Sequence, residues 1–290
     1  MENFRYVRPG SIEEACRLLR EHGERARPLA GGQSLLILMK SGVVRPEVVI
    51  SLRGLAGLRA IREADGGLAL GATAIHASVA ASSLVRARAP LLAEAAAQIG
   101  SPAIRQMGTI GGSLSQADPA ADLPPALLCL DARLAVAKAG AIRELPVAEF
   151  LRGYYETAMD PDELLTEIRL PALAGGSGSA FLKLRRQATD MATVCVAALV
   201  VLDAQGVCRE ARIGVGAASA AAYRATEAEV VLRGTRLGAA ELEEAGRLAQ
   251  QRAEPATDHR GGAEYKRAMV RVLTARALAQ ATERARGTGR

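Results

Sequence analysis

Two short glycine-rich segments constrain this chain more than any other feature. The first, Ala-Gly-Gly-Gln-Ser, spans residues 30–34, and the second, Thr-Ile-Gly-Gly-Ser, spans residues 109–113. Adjacent glycines let backbone N–H groups converge on an anion without obstruction by Cβ atoms, and Ser34, Thr109 and Ser113 add hydroxyl donors. Taken singly, each segment is also explained as a tight turn that needs positive φ angles. Together, the two segments could hold one pyrophosphate.

Other ligand-binding patterns are weaker. Neither segment matches the P-loop, and residues 214–219 (GVGAAS) lack the last glycine of a dinucleotide-binding turn and follow no βαβ start. We interpret residues 214–219 as a strand and a turn. The histidines and cysteines are dispersed and form no ligand pair, so we expect no metal site: His22, His76, His259, Cys16, Cys129, Cys195 and Cys208. No nucleophile elbow or catalytic triad stands out, so we assign no catalytic residue.

Composition excludes several classes of protein. The 290 residues suffice for two domains, or three small ones, at about 100 to 200 residues per domain. Aromatic residues make up 3% and Trp is absent, which leaves few stacking platforms for bases, and the net charge of +6 is spread without a dense basic run. Nucleic-acid binding is therefore disfavoured. Residues 1–15 lack the apolar core of a secretion signal, so we expect a cytoplasmic protein, free or peripheral at the inner face of the membrane.

The pattern of apolar residues predicts an α+β fold that begins with a compact unit over residues 1–55. A helix is expected over residues 11–22, with Ser11 and Glu14 as a capping box and Gly23 at its end. A strand, a glycine turn, a short helix and a second strand should follow it. The first glycine segment supplies that turn.

Two further units are expected. Residues 56–174 should contain a hairpin that turns at residues 65–67, Ala/Leu-rich helical periodicity over residues 76–100, the second glycine segment, an apolar helix, another hairpin and a last strand. Residues 173–180 have the composition of a linker. Beyond them, residues 178–290 should form a three-stranded antiparallel sheet with three helices.

A stiff acidic segment follows the second glycine segment. Asp118 and Asp122 lie four residues apart in the sequence DPAADLPP. A pyrophosphate would repel a carboxylate, so we expect an aspartate here to accept hydrogen bonds from hydroxyl groups or a ring N–H. Capping of a helix that begins at Pro124 explains either aspartate equally well.

The order of five segments resembles a known family. The segments are residues 30–40 (AGGQSLLILMK), 98–132 (QIGSPAIRQMGTIGGSLSQADPAADLPPALLCLDA), 163–171 (ELLTEIRLP), 181–194 (FLKLRRQATDMATV) and 258–278 (DHRGGAEYKRAMVRVLTARAL). They resemble the FAD-binding medium subunit of molybdenum hydroxylases, a group that includes the medium subunit of carbon monoxide dehydrogenase and the flavin domain of xanthine dehydrogenase. The resemblance extends over essentially the full length.

The resemblance implies a fold and a set of FAD contacts. Two FAD-binding subdomains of the vanillyl-alcohol-oxidase (PCMH) type, residues 1–55 and 56–174, would precede a C-terminal sheet-and-helix domain, residues 178–290. The pyrophosphate would lie between the glycine segments. The implied contacts are Leu29, Ala30, Gly31, Gly32, Gln33, Ser34, Leu35, Ile99, Thr109, Ile110, Gly111, Gly112, Ser113, Asp118, Asp122, Leu165 and Lys183.

Four of these contacts would surround the flavin itself. Asp122 would face flavin hydroxyl or amide donors, while Ile99 and Leu165 would be apolar walls, for which core packing is an equally good explanation. Lys183 would place a positive charge beside the reduced ring, or would be a solvated strand lysine.

The resemblance also implies electron transfer within a three-subunit enzyme. A large molybdopterin subunit would oxidise the substrate and determine its identity, and a small subunit with [2Fe-2S] clusters would carry the electrons. FAD in this chain would pass them to NAD⁺, a quinone or oxygen. The implied assembly is a dimer of heterotrimers without nucleic acid or a transmembrane segment. The alternative is a stand-alone FAD-dependent oxidoreductase, which would need its own acid–base residue for a substrate.

Overall fold

The chain folds into three consecutive α+β units. The structure is a computed structural model that describes residues 3–287. Its three larger sheets have three, five and four strands, and a two-stranded hairpin accompanies the second sheet. Across the described residues, no helix is both long enough and apolar enough to cross a membrane.

The first unit is a small parallel sheet with two helices. Its elements are β1 (Arg5–Val7), α1 (Ile12–His22), β2 (Ala26–Leu29), α2 (Leu35–Lys40) and β3 (Val48–Ser51). The strand order is β1-β3-β2, and both pairs are parallel. As predicted, α1 follows Ser11, whose side chain accepts a hydrogen bond from the Glu14 N–H, and ends at Gly23 with a positive φ of 54°. The first glycine segment connects β2 to α2.

The second unit is an antiparallel sheet packed under short helices. Its elements are β4 (Ile61–Ala64), β5 (Gly67–Gly71), α3 (His76–Ala81), α4 (Ser83–Arg88), α5 (Pro90–Ala97), α6 (Pro102–Met107), α7 (Ile110–Gln116), α8 (Leu123–Cys129), β6 (Arg133–Lys138), β7 (Ala141–Pro146), α9 (Val147–Phe150), β8 (Leu151–Gly153), β9 (Glu156–Thr157) and β10 (Leu164–Leu170). The order β4-β5-β10-β6-β7 contains both predicted hairpins.

The helical structure predicted over residues 76–100 is present and is divided into three helices. They are α3, α4 and α5. The Ser82 side chain accepts a hydrogen bond from the Val85 N–H and so starts α4, and Pro90 occupies the first position of α5. A helix-capping serine and a proline each favour a helix start over continuation, and they override the apolar periodicity.

The third unit is an antiparallel sheet covered by helices. Its elements are β11 (Ser177–Leu184), β12 (Val194–Leu202), β13 (Cys208–Gly216), β14 (Tyr223–Arg224), α10 (Thr226–Val230), α11 (Ala239–Arg252) and α12 (Ala263–Gly287). The three predicted strands are present, and the two-residue β14 adds a fourth at the edge.

Strand β12 separates two hydrophobic cores. Alternate side chains, such as Cys195 and Ala197, pack with the second unit, whereas Val194 and Val196 pack with the helices of the third. Every residue of β12 is buried, which explains why its sequence is apolar without alternation. The second and third units therefore share a wall, and side chains at the end of β11 lie next to the second unit.

The glycines of residues 214–219 serve packing. A Cβ atom on Gly214 would lie 2.2 Å from the Pro125 carbonyl oxygen, and one on Gly216 would lie 2.7 Å from the Pro125 Cγ atom. The strand assigned to this segment from sequence is β13, and its glycines allow α8 to lie directly on the strand.

Candidate functional site

The two glycine segments meet in space. A Cβ atom on Gly31 would lie 2.1 Å from the Met107 carbonyl oxygen and 2.9 Å from the Gly108 Cα atom. A Cβ atom on Gly112 would lie 3.9 Å from the Cβ atom of Ala30. The backbones are therefore in direct contact, and only glycine fits at position 31 without movement of one segment.

The first segment exposes a row of unused backbone donors. Within the described residues, the N–H groups of Gly31, Gly32, Gln33 and Ser34 form no hydrogen bond with the chain. All four residues are half-buried, and Gly32 has a φ of 73°. Successive free N–H groups in a turn form a concave site for an anion. The flanking Leu29, Ala30 and Leu35 are also half-buried.

The second segment begins a helix and is not the tight turn with positive φ angles that was the alternative from sequence. Thr109 caps α7, and its Oγ1 atom accepts a hydrogen bond of 3.1 Å from the Gly112 N–H. The Ile110 N–H donates to Ala74 O at 3.0 Å, and the Gly111 N–H donates to Ala72 O at 2.8 Å. The N–H groups of Gly111 and Gly112 are thus occupied, and the Thr109 N–H and hydroxyl groups remain as donors. The hydroxyl of Ser113, half-buried in the first turn of α7, also remains as a donor.

Sequence reasoning missed the strand-like segment that occupies those donors. Residues 72–76 run antiparallel to residues 108–111, with a bridge between Ile75 and Thr109. The segment connects β5 to α3 and is too short to give a periodic pattern. The signal for this segment in the sequence is a single histidine, His76, among mostly apolar neighbours.

A buried ion pair joins the turn between α7 and α8 to the end of β11. Lys183 Nζ is 2.6 Å from Asp122 Oδ2, and the exposed fractions of the two side chains are 0% and 5%. Lys183 also donates to Gln98 O at 3.1 Å. Because the Lys183 side chain is buried, its interpretation as a solvated strand lysine is wrong.

Asp122 retains one free acceptor. Its Oδ1 atom is buried and has no hydrogen-bond partner among the described residues, and its side chain makes no capping bond to α8. The cap interpretation for Asp122 is therefore wrong. Burial raises the pKa of Asp122 to about 6, and the Lys183 ammonium group opposes this rise. A lone buried carboxylate oxygen requires a donor from outside the chain.

The remaining candidates occupy different environments. Asp118 Oδ1 accepts a hydrogen bond of 2.9 Å from the Ala120 N–H, and Asp118 Oδ2 accepts one of 3.3 Å from the Tyr155 hydroxyl, so this carboxylate orders its own turn. Ile99 is half-buried against the core of the second unit, and Leu165 belongs to that core. The structure thus brings together the two glycine segments and pairs Asp122, in the turn that follows α7, with Lys183 of β11.

Comparisons with known proteins agree with this architecture. The family of the FAD binding domain in molybdopterin dehydrogenase matches residues 2–173, and that of the CO dehydrogenase flavoprotein C-terminal domain matches residues 179–281. Subunit alpha of the 6-hydroxypseudooxynicotine dehydrogenase complex from Paenarthrobacter nicotinovorans is 39% identical, over 99% of this chain and 97% of its own length. The carbon monoxide dehydrogenase medium chain of Afipia carboxidovorans is 39% identical over 98% of both chains.

A solved structure extends the likeness to three dimensions. Reconstituted CO dehydrogenase from Oligotropha carboxidovorans contains a chain that matches with a TM-score of 0.95 at 38% identity, over 98% of this chain and 99% of that one. Identity at this level over nearly the full length of both chains establishes common family membership. This protein therefore belongs to the family of FAD-binding medium subunits of molybdopterin dehydrogenases, which are oxidoreductase subunits.

Proposed function

We propose that this chain binds FAD across the two glycine segments, with the diphosphate on the free N–H groups of Gly31, Gly32, Gln33 and Ser34. This row of unused donors is the observation that carries the proposal. A pyrophosphate needs several convergent donors, and backbone N–H groups supply them without a counter-charge. The hydroxyl groups of Ser34, Thr109 and Ser113 would bind the remaining oxygens of the diphosphate and the ribityl chain.

The buried Asp122–Lys183 pair would face the flavin. Asp122 Oδ1 lacks a donor, which fits a hydroxyl or amide hydrogen of the cofactor. Lys183 would hold a positive charge close to the ring, where reduction adds negative charge. Ile99 and Leu165 would form the apolar walls of the ring site. Leu29, Ala30, Leu35, Ile110, Gly111, Gly112 and Asp118 would complete the site by shaping the two segments and the turn that follows.

The chain would act as the electron-transfer subunit of a molybdenum hydroxylase. Bound FAD supplies chemistry that amino-acid side chains lack, the exchange of both single electrons and electron pairs. The residues of this chain would hold the cofactor, exclude water from its ring and stabilise its charge. Partner subunits would carry the molybdopterin and the [2Fe-2S] clusters, and NAD⁺, a quinone or oxygen would accept the electrons.

The molybdenum subunit would determine the substrate. The two relatives described above are equally similar to this chain, yet they belong to enzymes named for different substrates, carbon monoxide and 6-hydroxypseudooxynicotine. We further propose a cytoplasmic location and folding units at residues 1–55, 56–174 and 178–290.

FAD binding is tested with the purified chain stripped of flavin. Titration with FAD should quench flavin fluorescence and raise the melting temperature, because a ligand that binds only the folded state stabilises it. Denaturation should release the flavin intact, since neither glycine segment offers a His or Cys for covalent attachment. ADP should compete with FAD, and FMN, which lacks the second phosphate, should bind far more weakly. Equal affinity for FMN and FAD would contradict a diphosphate site.

The assembly is tested by purification of a tagged chain from its native host. We expect two companion subunits, one with molybdenum and one with iron, and native mass spectrometry should give a dimer of heterotrimers. A chain that purifies alone and reduces electron acceptors with an organic substrate would instead support the stand-alone oxidoreductase.

A further inference from the structure

Residues 72–76 hold the second glycine segment in place through backbone hydrogen bonds. Beyond the hydrogen bonds of Ala72 and Ala74 described above, the His76 N–H donates to Gly108 O at 2.9 Å. Together, these three hydrogen bonds connect residues 108–111 to residues 72–76 from one end of the segment to the other. The position of Gly108 is thus set by its hydrogen bond to the first residue of α3.

The His76 side chain packs against the same glycine. A Cβ atom on Gly108 would lie 2.8 Å from His76 Cδ2 and 3.0 Å from His76 Nε2. Gly108 is also the residue whose Cα atom lies 2.9 Å from the position of a Gly31 Cβ atom. Gly108 is therefore in contact with both the imidazole ring and the first glycine segment.

His76 is buried without the hydrogen bonds that normally justify a buried polar side chain. Its exposed fraction is 4%, and its Nδ1 atom has no partner among the described residues. Thr73 Oγ1, on the same five-residue segment, is also buried and unpartnered. An unsatisfied buried polar atom costs stability, so a purely structural role would be served better by an apolar side chain. Burial and the Arg105 guanidinium lower the pKa of His76 to about 4, so the ring is neutral.

We propose that His76 is a positioning residue of the cofactor site: its ring fixes Gly108 and, through the contact of Gly108 with Gly31, the row of donors at residues 31–34. This inference rests on the proposed function of those donors. Diphosphate binding requires the donors to stay within a few tenths of an ångström of the productive geometry. The contact of Gly108 is with Gly31, the first of these donors, so its position is sensitive to the size of the side chain that supports Gly108.

Three substitutions of His76 measure how much its ring contributes to FAD affinity. His76→Ala removes the support, His76→Asn shortens it, and His76→Gln keeps the length of the side chain and a planar polar end. Val85→Ala is the matched control, because Val85 is a fully buried residue of α4 in the same core. Each variant is titrated with FAD in its apo form, and its melting temperature is measured beside the titration.

We expect FAD affinity to fall at least about tenfold in His76→Ala, about threefold in His76→Asn and less than about twofold in His76→Gln. Val85→Ala should lower the melting temperature and leave FAD affinity unchanged. The asparagine variant decides the matter if the alanine variant does not fold. Wild-type affinity in His76→Asn, or in a folded His76→Ala, would overturn the positioning role. Absence of FAD binding by the wild type would instead refute the proposed function itself.

Discussion

The two glycine segments have similar sequences, but the backbone N–H groups of the first are free and most of those of the second are hydrogen-bonded. The N–H groups of residues 31–34 make no hydrogen bond within residues 3–287, whereas Ile110, Gly111 and Gly112 donate to Ala74, Ala72 and Thr109. Residues 31–34 are half-buried, whereas Ile110 and Gly111 are buried. The first segment therefore offers a row of backbone donors, whereas the second offers the Thr109 N–H and its hydroxyl groups and is otherwise fixed by hydrogen bonds with the chain.

The difference shows that paired glycines can serve two purposes in one site. At Gly31, the missing Cβ atom lets two backbones touch beside free donors. At Gly111, it lets α7 lie on residue 72, where a Cβ atom would be 2.5 Å from Ala72 Cβ. We therefore expect substitutions in the first segment to reduce FAD affinity and substitutions in the second to reduce stability.

The largest effect is expected for Gly31→Ala. Its Cβ atom would overlap the Met107 carbonyl oxygen, so the two segments must separate and the donors must move. FAD affinity should fall at least about 100-fold, which corresponds to about 2.7 kcal/mol. Gly54→Ala is the control, since a Cβ atom there meets no atom within 4 Å. If Gly31→Ala bound FAD with the same affinity as Gly54→Ala, the distinction between the two segments would be contradicted.

Asp122 should make FAD affinity depend on pH. Its pKa of about 6 in the free protein lies above the ordinary value of 3.8, and a donor from FAD favours the charged form. Affinity should be constant above pH 6 and fall by up to about tenfold per pH unit below it. Calorimetric titration between pH 5 and pH 8 measures this dependence.

Variants at the buried pair identify the titrating group. Asp122→Asn should bind FAD about 1.5 to 3 kcal/mol more weakly at pH 7.5. Its affinity for FAD should no longer depend on pH. Asp122→Asn leaves the Lys183 ammonium group buried without a charged partner, which should lower the melting temperature. Adding Lys183→Met removes that charge and should restore the melting temperature, but not the affinity for FAD. Persistence of the same pH dependence in Asp122→Asn would exclude Asp122 as its source.

Gly111→Ala should destabilise the fold. The new Cβ atom would press on Ala72 from the buried side of α7, and overpacking of this kind costs about 1 to 3 kcal/mol. The free energy of unfolding should decrease by a similar amount with and without bound FAD, measured in urea. Gly175→Ala, at a site with open space around it, is the control. If Gly111→Ala changed only FAD affinity, the second segment would be a ligand site of the same kind as the first.

The smallest effects compare two hydroxyl groups. Ser34 forms no capping bond to α2, so Ser34→Ala should lower FAD affinity by about 0.5 to 1.5 kcal/mol with no change in apo stability. Thr109 does cap α7, so Thr109→Val should lower apo stability by about 1 kcal/mol. Melting curves of the apo proteins distinguish the two outcomes, and equal loss of apo stability in both variants would contradict the assigned roles.

Local signals predicted much of the fold. The Ser11 cap of α1, the hairpin between β4 and β5, and the apolar run of β12 each follow from neighbouring residues alone. The occupancy of the Ile110 and Gly111 N–H groups could not be predicted in this way, because their acceptors are Ala74 and Ala72, far away in sequence. The burial of Lys183 could not be predicted either, because its ion-pair partner, Asp122, lies in another unit. Sequence therefore identified the two glycine segments, and only tertiary contacts revealed which of their N–H groups are free.

Hydrogen exchange of the backbone amides tests the central claim most directly. Peptides that cover residues 30–35 and residues 109–114 are followed by mass spectrometry in the apo protein and with saturating FAD. We predict fast exchange of the first peptide in the apo protein and strong protection once FAD is bound, because the N–H groups of residues 31–34 have no acceptor in the described part of the chain. The second peptide should be protected in both states. Unchanged exchange of residues 30–35 on FAD binding would contradict the assignment of these donors to the diphosphate.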